Sequence, residues 1–149
     1  MIAGIVIKDR VIKDPRTAAE FYLESLCKMD GEKLMDSMAG GEKLSAEEKK
    51  QFEAMCTLIG VYAKQYDISY TIKSVKELSD SEEEIFWNTI NPNQVYTSKS
   101  KVKKMAICKV NVEAKDKQTF LSQETENEIY VGKYKGRWKV IGVKTLEMK

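Results

Sequence analysis

The stretch IYVGKYKGRWKVIGV, residues 129–143, decides how this sequence is interpreted, because it fits two different structures. Basic residues that alternate with aromatic residues can form a nucleic-acid surface, where cations hold phosphates and rings stack on bases. A two-residue turn at Lys135 and Gly136 would instead fold the stretch into a β-hairpin. That hairpin would close an antiparallel sheet and would divide the basic residues between its two faces.

The register of the hairpin follows from the length of its turn. With a two-residue turn, Tyr134 pairs with Arg137. One face then carries three aliphatic residues and the tryptophan: Ile129, Val131, Trp138 and Val140. The other face carries tyrosines, basic residues and one isoleucine: Tyr130, Tyr134, Arg137, Lys139 and Ile141. A three-residue turn would separate the tryptophan from the first two aliphatic residues. We therefore predict the two-residue turn.

Composition and charge favour one soluble globular domain. The chain has 149 residues, of which 42% are hydrophobic and 32% are charged, and a chain of this length can bury a core without metal or disulfide cross-links. Lys and Arg total 25 against 23 acidic residues, which gives a net charge of +2. Proteins dedicated to nucleic acids usually carry a more one-sided charge, so we do not expect a nucleic-acid partner.

The lack of histidine excludes several chemistries. Without histidine, a chain has neither the commonest general base nor the usual triads and zinc sites. We recognise no catalytic constellation, metal motif or cofactor motif, and we predict no catalytic, cofactor-binding or metal-binding residue. Cys27, Cys56 and Cys108 have no CxxC spacing, and we expect buried free thiols. A disulfide between Cys27 and Cys56, on two packed helices, is the alternative.

The N-terminal segment is interpreted separately from the domain. Its first seven residues, MIAGIVI, are apolar, but they are far fewer than the ~20 residues of a membrane span. They fit a β-strand or the remainder of a trimmed membrane anchor. We therefore divide the chain into an arm or strand over residues 1–14 and a single α+β domain over residues 15–149.

Three helices are predicted before the first strand of the domain. Asp14 is a typical N-cap, Pro15 suits the first helical position, and Asp30-Gly31 fits the end of this first helix. A short second helix is expected over residues 32–38. A capping box at Ser45 opens a third helix that runs to about residue 64. Apolar residues on both flanks predict that the third helix is covered on two sides: Phe52, Met55, Cys56, Leu58, Ile59, Val61, Tyr62 and Ala63.

The periodicity then changes to that of β-strands. Apolar residues alternate with polar ones over residues 68–72, and a bulge is predicted near Ser74. A second capping box, Ser81 with Glu84, is expected to open a fourth helix. Three more strands are predicted over about residues 106–114, 120–134 and 137–145. The order ααα-β-α-βββ gathers the helices first and predicts an α+β fold with an antiparallel sheet.

This order of elements, with these residues, resembles the nuclear-transport-factor-2-like superfamily, also called the cystatin-like cone. DPRTAAEFYLESLCKMDGEKLMDSM, residues 14–38, is similar to the opening helix of the family and the short helix that follows it. Residues 129–143 are similar to its closing hairpin, in which a Gly-x-Trp element begins the last strand. Residues 66–84, YDISYTIKSVKELSDSEEE, are similar to uncharacterised domains of bacterial surface lipoproteins. The resemblance implies N-terminal helices packed on a strongly curved antiparallel sheet.

The interior of such a cone is where the resemblance would place a ligand or a reaction. Enzymatic members resemble ketosteroid isomerases and polyketide cyclases, which hold an Asp, His or Tyr there to move protons beside a carbonyl. The inward strand positions of this chain are apolar, and none supplies an obvious carboxylate base. The candidates to line a pocket, for a small apolar ligand or a reaction, are Tyr22, Tyr70, Trp138, Gln123, Thr125 and Asn127.

A second basic cluster lies in TSKSKVKKMAICKV, residues 97–110. Lys101, Lys103 and Lys109 share parity and are predicted to point to solvent from one strand. Lysines in this arrangement can protect a sheet edge from unwanted pairing. The alternative is a basic patch for an anionic membrane or a cell-wall polymer.

Together these observations favour a non-enzymatic binding or protein-interaction domain of a bacterial surface protein. One alternative is a carrier of a small apolar ligand, or an isomerase-like or dehydratase-like enzyme, that uses the cone interior. Another is a scaffold subunit of a secretion or conjugation complex. We expect a protein partner, which includes a second copy of the chain, or a small apolar ligand. We expect an extracytoplasmic location with an anchor that precedes this chain, and a cytoplasmic location is the alternative.

Overall fold

The computed structural model describes residues 12–90 and 95–148. The predicted strand or anchor remnant in residues 1–11 lies outside the described residues. Four α-helices are present in the described ranges: α1 (Pro15–Cys27), α2 (Gly31–Ser37), α3 (Ala46–Ala63) and α4 (Asp80–Thr89). Four strands form an antiparallel sheet in the order β1-β2-β3-β4: β1 (Tyr66–Glu77), β2 (Val102–Asp116), β3 (Ser122–Tyr134) and β4 (Arg137–Met148). The predicted α+β class and the order ααα-β-α-βββ are confirmed.

The start of α1 is as predicted, but its end is not. The side chain of Asp14 accepts a hydrogen bond from a backbone N–H of the first turn at 2.8 Å. The helix ends at Cys27, and the left-handed residue after it is Met29, with φ 51°. Asp30 caps the next helix, and Gly31 is the first residue of α2. The prediction that Asp30-Gly31 ends α1 is wrong because the Asp30 carboxylate holds the first backbone N–H groups of α2.

Helix α1 lies across one face of the sheet and contacts all four strands. Three of its residues, Ala18, Ala19 and Leu23, pack against the sheet. The strand residues they contact lie in the rows that alternation predicts to point inward: Ala106, Cys108, Val110, Ile129, Val131, Trp138 and Val140. The arm that precedes α1 joins this core at Ile12, whose carbonyl accepts a hydrogen bond from the Trp138 N–H at 2.9 Å. The interior of the fold is therefore built from apolar side chains.

Helix α4 covers part of the opposite face of the sheet. Phe86 and Ile90 pack against residues of β2, β3 and β4: Val102, Met105, Ile107, Tyr130, Tyr134 and Ile141. A Cβ on Gly142 would lie 3.3 Å from both Phe86 and Ile90, so the glycine permits the close approach of the helix to β4. Both faces of the sheet thus carry a core, each under a different helix.

The cap of α4 lies two residues before the predicted one. Ser79 accepts a hydrogen bond from Glu82 N, and the Glu82 carboxylate accepts one from Ser79 N at 3.0 Å. The predicted box of Ser81 with Glu84 is wrong because the helix begins at Asp80, which leaves Ser81 inside the first turn. Both pairs match the same S-x-x-E pattern, and the sequence alone does not separate them.

The closing hairpin has the predicted register. Tyr134 lies opposite Arg137, and Lys133 lies opposite Trp138. The two turn residues, Lys135 and Gly136, have φ values of 52° and 79°, as a two-residue hairpin turn requires. The predicted bulge in β1 is also present, as a shift of register between Ile72 and Ser74.

Helix α3 is covered on one side only. It contacts α2 and β1, and Cys56 is its buried apolar residue. Met55, Leu58, Ile59 and Val61 are between 42% and 62% exposed. The prediction that α3 is covered on two sides is wrong for this chain, because no described element packs on its outer flank.

Candidate functional site

The predicted pocket residues lie around a core that is already occupied. Trp138 is 4% exposed and packs among the aliphatic residues beneath α1. Tyr22 and Tyr70 are half-buried and pack against the same cluster. Tyr70 and Thr125 flank Val112 on one face of the sheet.

The predicted polar row lies at the far end of that same face. Gln123 is exposed, and Thr125 and Asn127 are half-buried. The row lies opposite Ala114, Val112 and Val110 on β2. It continues the face that carries Ile129 and Val131 deeper in the sheet, so the polar residues border the apolar core without entering it.

The two tyrosines are not arranged as proton donors activated for catalysis. Burial raises the pKa of Tyr22, and the nearby Cys56 and Tyr96 raise it further. Burial also raises the pKa of Tyr70, to which Glu24 and the other acidic groups beside it add. In the described part of the chain, no hydrogen bond joins either hydroxyl to a carboxylate.

Tyrosine–carboxylate hydrogen bonds occur on the opposite face of the sheet. Tyr134 donates to Glu42, and Lys135 Nζ lies 3.2 Å from the same carboxylate oxygen. Partial burial acts to raise the pKa of Glu42, but hydrogen bonds from Tyr134, its own backbone and Lys135 overcome this effect and lower the pKa to about 2. This contact, which we name the Glu42 clasp, fastens the 3₁₀ turn Gly41–Lys43 to the closing hairpin.

The predicted basic patch is spread along β2. Lys101 does not lie on the strand, as was predicted, but in the 3₁₀ turn Lys99–Lys101 before it. An irregularity of register between Val102 and Met105 breaks the parity on which that prediction rests. Lys109 lies opposite Glu128 on β3, about 20 Å along the strand from Lys103 at 3.3 Å per residue. Lys103 is exposed near the start of the strand, and the distance to Lys109 means that the three lysines do not form a compact site.

Lys101 instead lies beside a lysine that the sequence did not connect with it. The Lys101 ammonium lowers the pKa of Lys43, which belongs to the turn of the Glu42 clasp. These residues are far apart in sequence, and neither a spacing nor a motif links them.

Four large apolar side chains of α3 are exposed, and we name Met55, Leu58, Ile59 and Val61 the α3 apolar face. The first three are neighbours on the helix at i, i+3 and i+4, and Val61 extends the face to the edge of a cleft. Grouped exposed apolar residues mark places of interaction. The sequence shows these residues as part of a helical apolar pattern, but the pattern does not tell a core from a partner-binding face.

A cleft of about 450 Å³ lies between the end of α1, the end of α3 and the start of β1. Its walls include Cys27, Met29, Cys56, Val61 and Tyr66. Both cysteines are free thiols, and so is Cys108. Burial raises the pKa of Cys27 and of Cys56, and nearby carboxylates raise them further, so neither thiol is activated.

Neither a metal site nor a membrane span is found in residues 12–90 and 95–148. No group of three or more metal-ligating side chains comes together there. No helix among these residues has the length and apolar character needed to cross a bilayer.

Comparison with solved structures gives the fold. The chain is similar to a ketosteroid isomerase-like protein from Erwinia carotovora atroseptica, with 15% identity, a TM-score of 0.51 and coverage of 88% of this chain and 91% of that chain. A domain of unknown function with a cystatin-like fold from Nostoc punctiforme matches with 11% identity, a TM-score of 0.54 and coverage of 87% and 72%. A nuclear-transport-factor-2-like protein of unknown function from Shewanella oneidensis matches with 13% identity, a TM-score of 0.52 and coverage of 88% and 94%.

These similarities show that the chain has the nuclear-transport-factor-2-like, cystatin-like fold, as its sequence predicts. No protein-family model and no curated protein sequence matches the chain. At these identities the shared property is the fold, and function has to be argued from the surface and the interior of this chain.

Proposed function

We propose that this chain is a non-enzymatic protein-interaction domain of a bacterial surface protein, and that the α3 apolar face is its binding surface. The observation that carries the proposal is the exposure of four apolar side chains on one helix. Leu58 and Val61 are the most exposed of them, with 62% and 61% of their surface accessible to solvent. Apolar area in contact with water is unfavourable by roughly 25 cal/mol per Å², and a partner that covers α3 would remove this cost.

The composition of the cone interior supports a non-enzymatic role. Trp138 and the aliphatic residues beneath α1 occupy the region where the predicted pocket would place a substrate. In the described part of the chain, no carboxylate hydrogen-bonds to Tyr22 or Tyr70, the candidate proton donors, so neither hydroxyl is paired with a base for proton transfer.

A surface location is part of the proposal and rests on the resemblance of residues 66–84 to domains of bacterial surface lipoproteins. Fractionation of the native cells, followed by mapping of the N-terminus of the mature protein, tests it. We expect the protein in the membrane fraction with a modified N-terminus. An unmodified protein in the cytoplasm would contradict this location.

The interaction is tested by size-exclusion chromatography of native extracts that contain the tagged protein. We expect the wild type to elute in a complex larger than one chain and the double variant Leu58→Lys, Val61→Lys to elute as a single chain. Ile85→Lys is the matched control, because Ile85 is 60% exposed on a different helix. Identical elution of the three proteins would contradict the proposal. A homogeneous assembly of many copies would favour the scaffold alternative.

The cleft beside α3 favours a second candidate function, the binding of a small apolar ligand. Its volume of about 450 Å³ lies within the range of ligand pockets, and apolar and polar groups share its walls. The fluorescent probe anilinonaphthalene sulfonate tests this candidate. Thr57 also lines the cleft, whereas Gln51 lies on α3 outside it. We expect Thr57→Trp, whose ring would occupy the cleft, to abolish the fluorescence increase, and Gln51→Trp to preserve it. Equal fluorescence with both variants would contradict ligand binding in the cleft.

A further inference from the structure

The turn between β2 and β3 holds two large apolar side chains in solvent. Phe120 is 70% exposed and Leu121 is 73% exposed, the highest values among the large hydrophobic residues of the described chain. We name residues 117–121 the hairpin tip. It is separate from the α3 apolar face, which belongs to a helix.

The hairpin tip is held in one conformation by hydrogen bonds. The Asp116 carboxylate accepts from the backbone N–H groups of Gln118 and Thr119, at 2.8 and 3.1 Å. The Phe120 N–H donates to the carbonyl of Asp116, and the N–H of Asp116 donates to the carbonyl of Leu121, each at 2.9 Å. The position of the two apolar side chains is therefore set by the backbone of the turn.

A further attachment joins the hairpin tip to the link between α3 and β1. Lys117 N donates to the Gln65 carbonyl at 2.9 Å, and Gln65 Nε2 donates to the Asp116 carboxylate at 3.1 Å. The tip is thus fixed to the body of the domain at its base.

Phe120 occupies a backbone conformation that its side chain disfavours. Its φ is 61°, in the left-handed region where glycine and asparagine are the usual residues. The backbone of a phenylalanine is strained in this region. The ring adds little to the stability of the fold, because it is mostly exposed and the Lys115 ammonium lies 5.8 Å from its centre. Strain kept at an exposed position points to a use of that side chain outside the fold.

Two lysines, Lys115 and Lys117, flank these apolar residues. The Lys115 ammonium lies 5.8 Å from the centre of the Phe120 ring, and Lys117 Nζ lies 3.9 Å from an Asp67 oxygen. The Asp116 carboxylate is bound to the backbone of the turn. Lys28 and Lys64 line the adjacent cleft, where acidic residues offset them, so the positive charge next to the apolar side chains is that of Lys115 and Lys117.

We infer that the hairpin tip is a membrane-contact site, at which Phe120 and Leu121 enter the interface of a bilayer that contains anionic phospholipid. The lysines would lie at the level of the headgroup phosphates, where each cation near an anionic surface strengthens binding. A protein partner is less well suited to this tip, because stable protein interfaces bury roughly 800 Å² on each side, far more than two side chains offer. The inference is independent of the proposed role of α3.

Vesicle flotation with purified protein tests the inference. We expect the wild type to float with vesicles of phosphatidylcholine and phosphatidylglycerol and to remain behind with phosphatidylcholine alone. The double variant Phe120→Ser, Leu121→Ser should lose at least about tenfold in partitioning, since it removes the inserted apolar groups. Lys115→Gln and Lys117→Gln should each lose about fivefold at low salt. Ile85→Ser, at an exposed apolar site elsewhere, should bind as the wild type does.

Loss of folding is separated from loss of binding by Phe120→Gly, which suits the backbone of the turn. This variant should keep the cooperative unfolding of the wild type and bind anionic vesicles less well. Absence of wild-type binding to anionic vesicles would overturn the inference and favour a protein partner at the tip. Equal binding by the wild type and by the Phe120→Ser, Leu121→Ser variant would also overturn it.

Discussion

Glu42 joins two parts of the chain that no local pattern connects. Its carboxylate accepts hydrogen bonds from Tyr134 and Lys135, more than ninety positions further along the chain. A glutamate in a short turn gives no sign of such partners, because the contact exists only once the hairpin has closed beside the turn. The clasp could not be predicted from the sequence for this reason.

The Glu42 clasp has a predicted dependence on pH. The pKa of Glu42 is about 2 in the folded protein, below its ordinary value of 4.5, so the clasp stabilises the fold above pH 4.5. That contribution should be lost as the pH falls from 4.5 to 2. For a pair that is partly exposed we expect about 1 kcal/mol. Urea denaturation at several pH values measures it.

Glu42→Gln should remove this part of the pH dependence and lower the free energy of unfolding at neutral pH by about 1 kcal/mol. Glu84→Gln, at an exposed position of α4, is the control and should follow the wild type. An unchanged pH profile in Glu42→Gln would show that the clasp does not stabilise the fold.

The backbone of Phe120 provides a second prediction for a single residue. Phe120→Gly should raise the free energy of unfolding by about 0.5–1 kcal/mol, because glycine adopts a positive φ without strain. Phe120→Ala should not, since alanine keeps the Cβ that causes the strain. Urea denaturation of both variants measures the difference. Equal stabilisation by Gly and Ala would indicate that side-chain solvation, and not backbone strain, is responsible.

At the start of α4, two serines each match the S-x-x-E capping pattern, and alanine substitutions show which of them caps the helix. Ser79→Ala should lower the free energy of unfolding by about 1 kcal/mol, because the side chain caps the first turn of the helix. Ser81→Ala should leave it unchanged or raise it by a few tenths of a kcal/mol, since Ser81 lies inside the helix, where alanine is the better helix former. Thermal unfolding followed by circular dichroism compares them. A larger loss for Ser81→Ala would place the cap where the sequence pattern alone suggested it.

Helix α3 shows what periodicity can and cannot predict. Its capping box at Ser45 and its end near residue 64 follow from the sequence, because both depend on local hydrogen bonds and helix period. The burial of its apolar residues does not follow, because burial depends on which elements the chain can supply to cover them. Cys56 is buried because α2 packs on its side of α3. Leu58 is exposed because none of the described elements packs on its side of the helix.

The exposure of α3 predicts how its variants behave as isolated chains. In a dilute solution of the isolated protein, the double variant Leu58→Lys, Val61→Lys should change the free energy of unfolding by less than about 0.5 kcal/mol, because both side chains are already exposed to water. Leu23→Ala, in the core under α1, should lose about 2–5 kcal/mol. Urea denaturation compares the two. A large loss for the double variant would mean that α3 is covered by the chain itself.

At the scale of the whole molecule, the fold was predictable because several local signals agree. The turn at Lys135 and Gly136 sets the register of the closing hairpin, and Trp138 then falls on the aliphatic face. Alternation in β1 and β2 gives the remaining inward rows. The placement of α4 on the opposite face was not predictable, since it depends on the close approach permitted by Gly142.

The distribution of apolar residues over the whole molecule separates interior from surface. The core beneath α1 is occupied by aliphatic side chains and Trp138, while α3 and the hairpin tip leave large apolar residues in water. We propose that the fold of this chain supports outward-facing binding surfaces, since a shared fold does not fix a shared function.

Site-specific photo-crosslinking in the native cells tests this explanation most directly. A benzoylphenylalanine is placed in turn at position 58 on α3, at position 85 on α4, and at position 123 on the sheet face of the predicted pocket. We expect a discrete protein adduct from position 58 and little or none from positions 85 and 123. An adduct from position 123 with none from position 58, or equal labelling from all three, would contradict binding through α3.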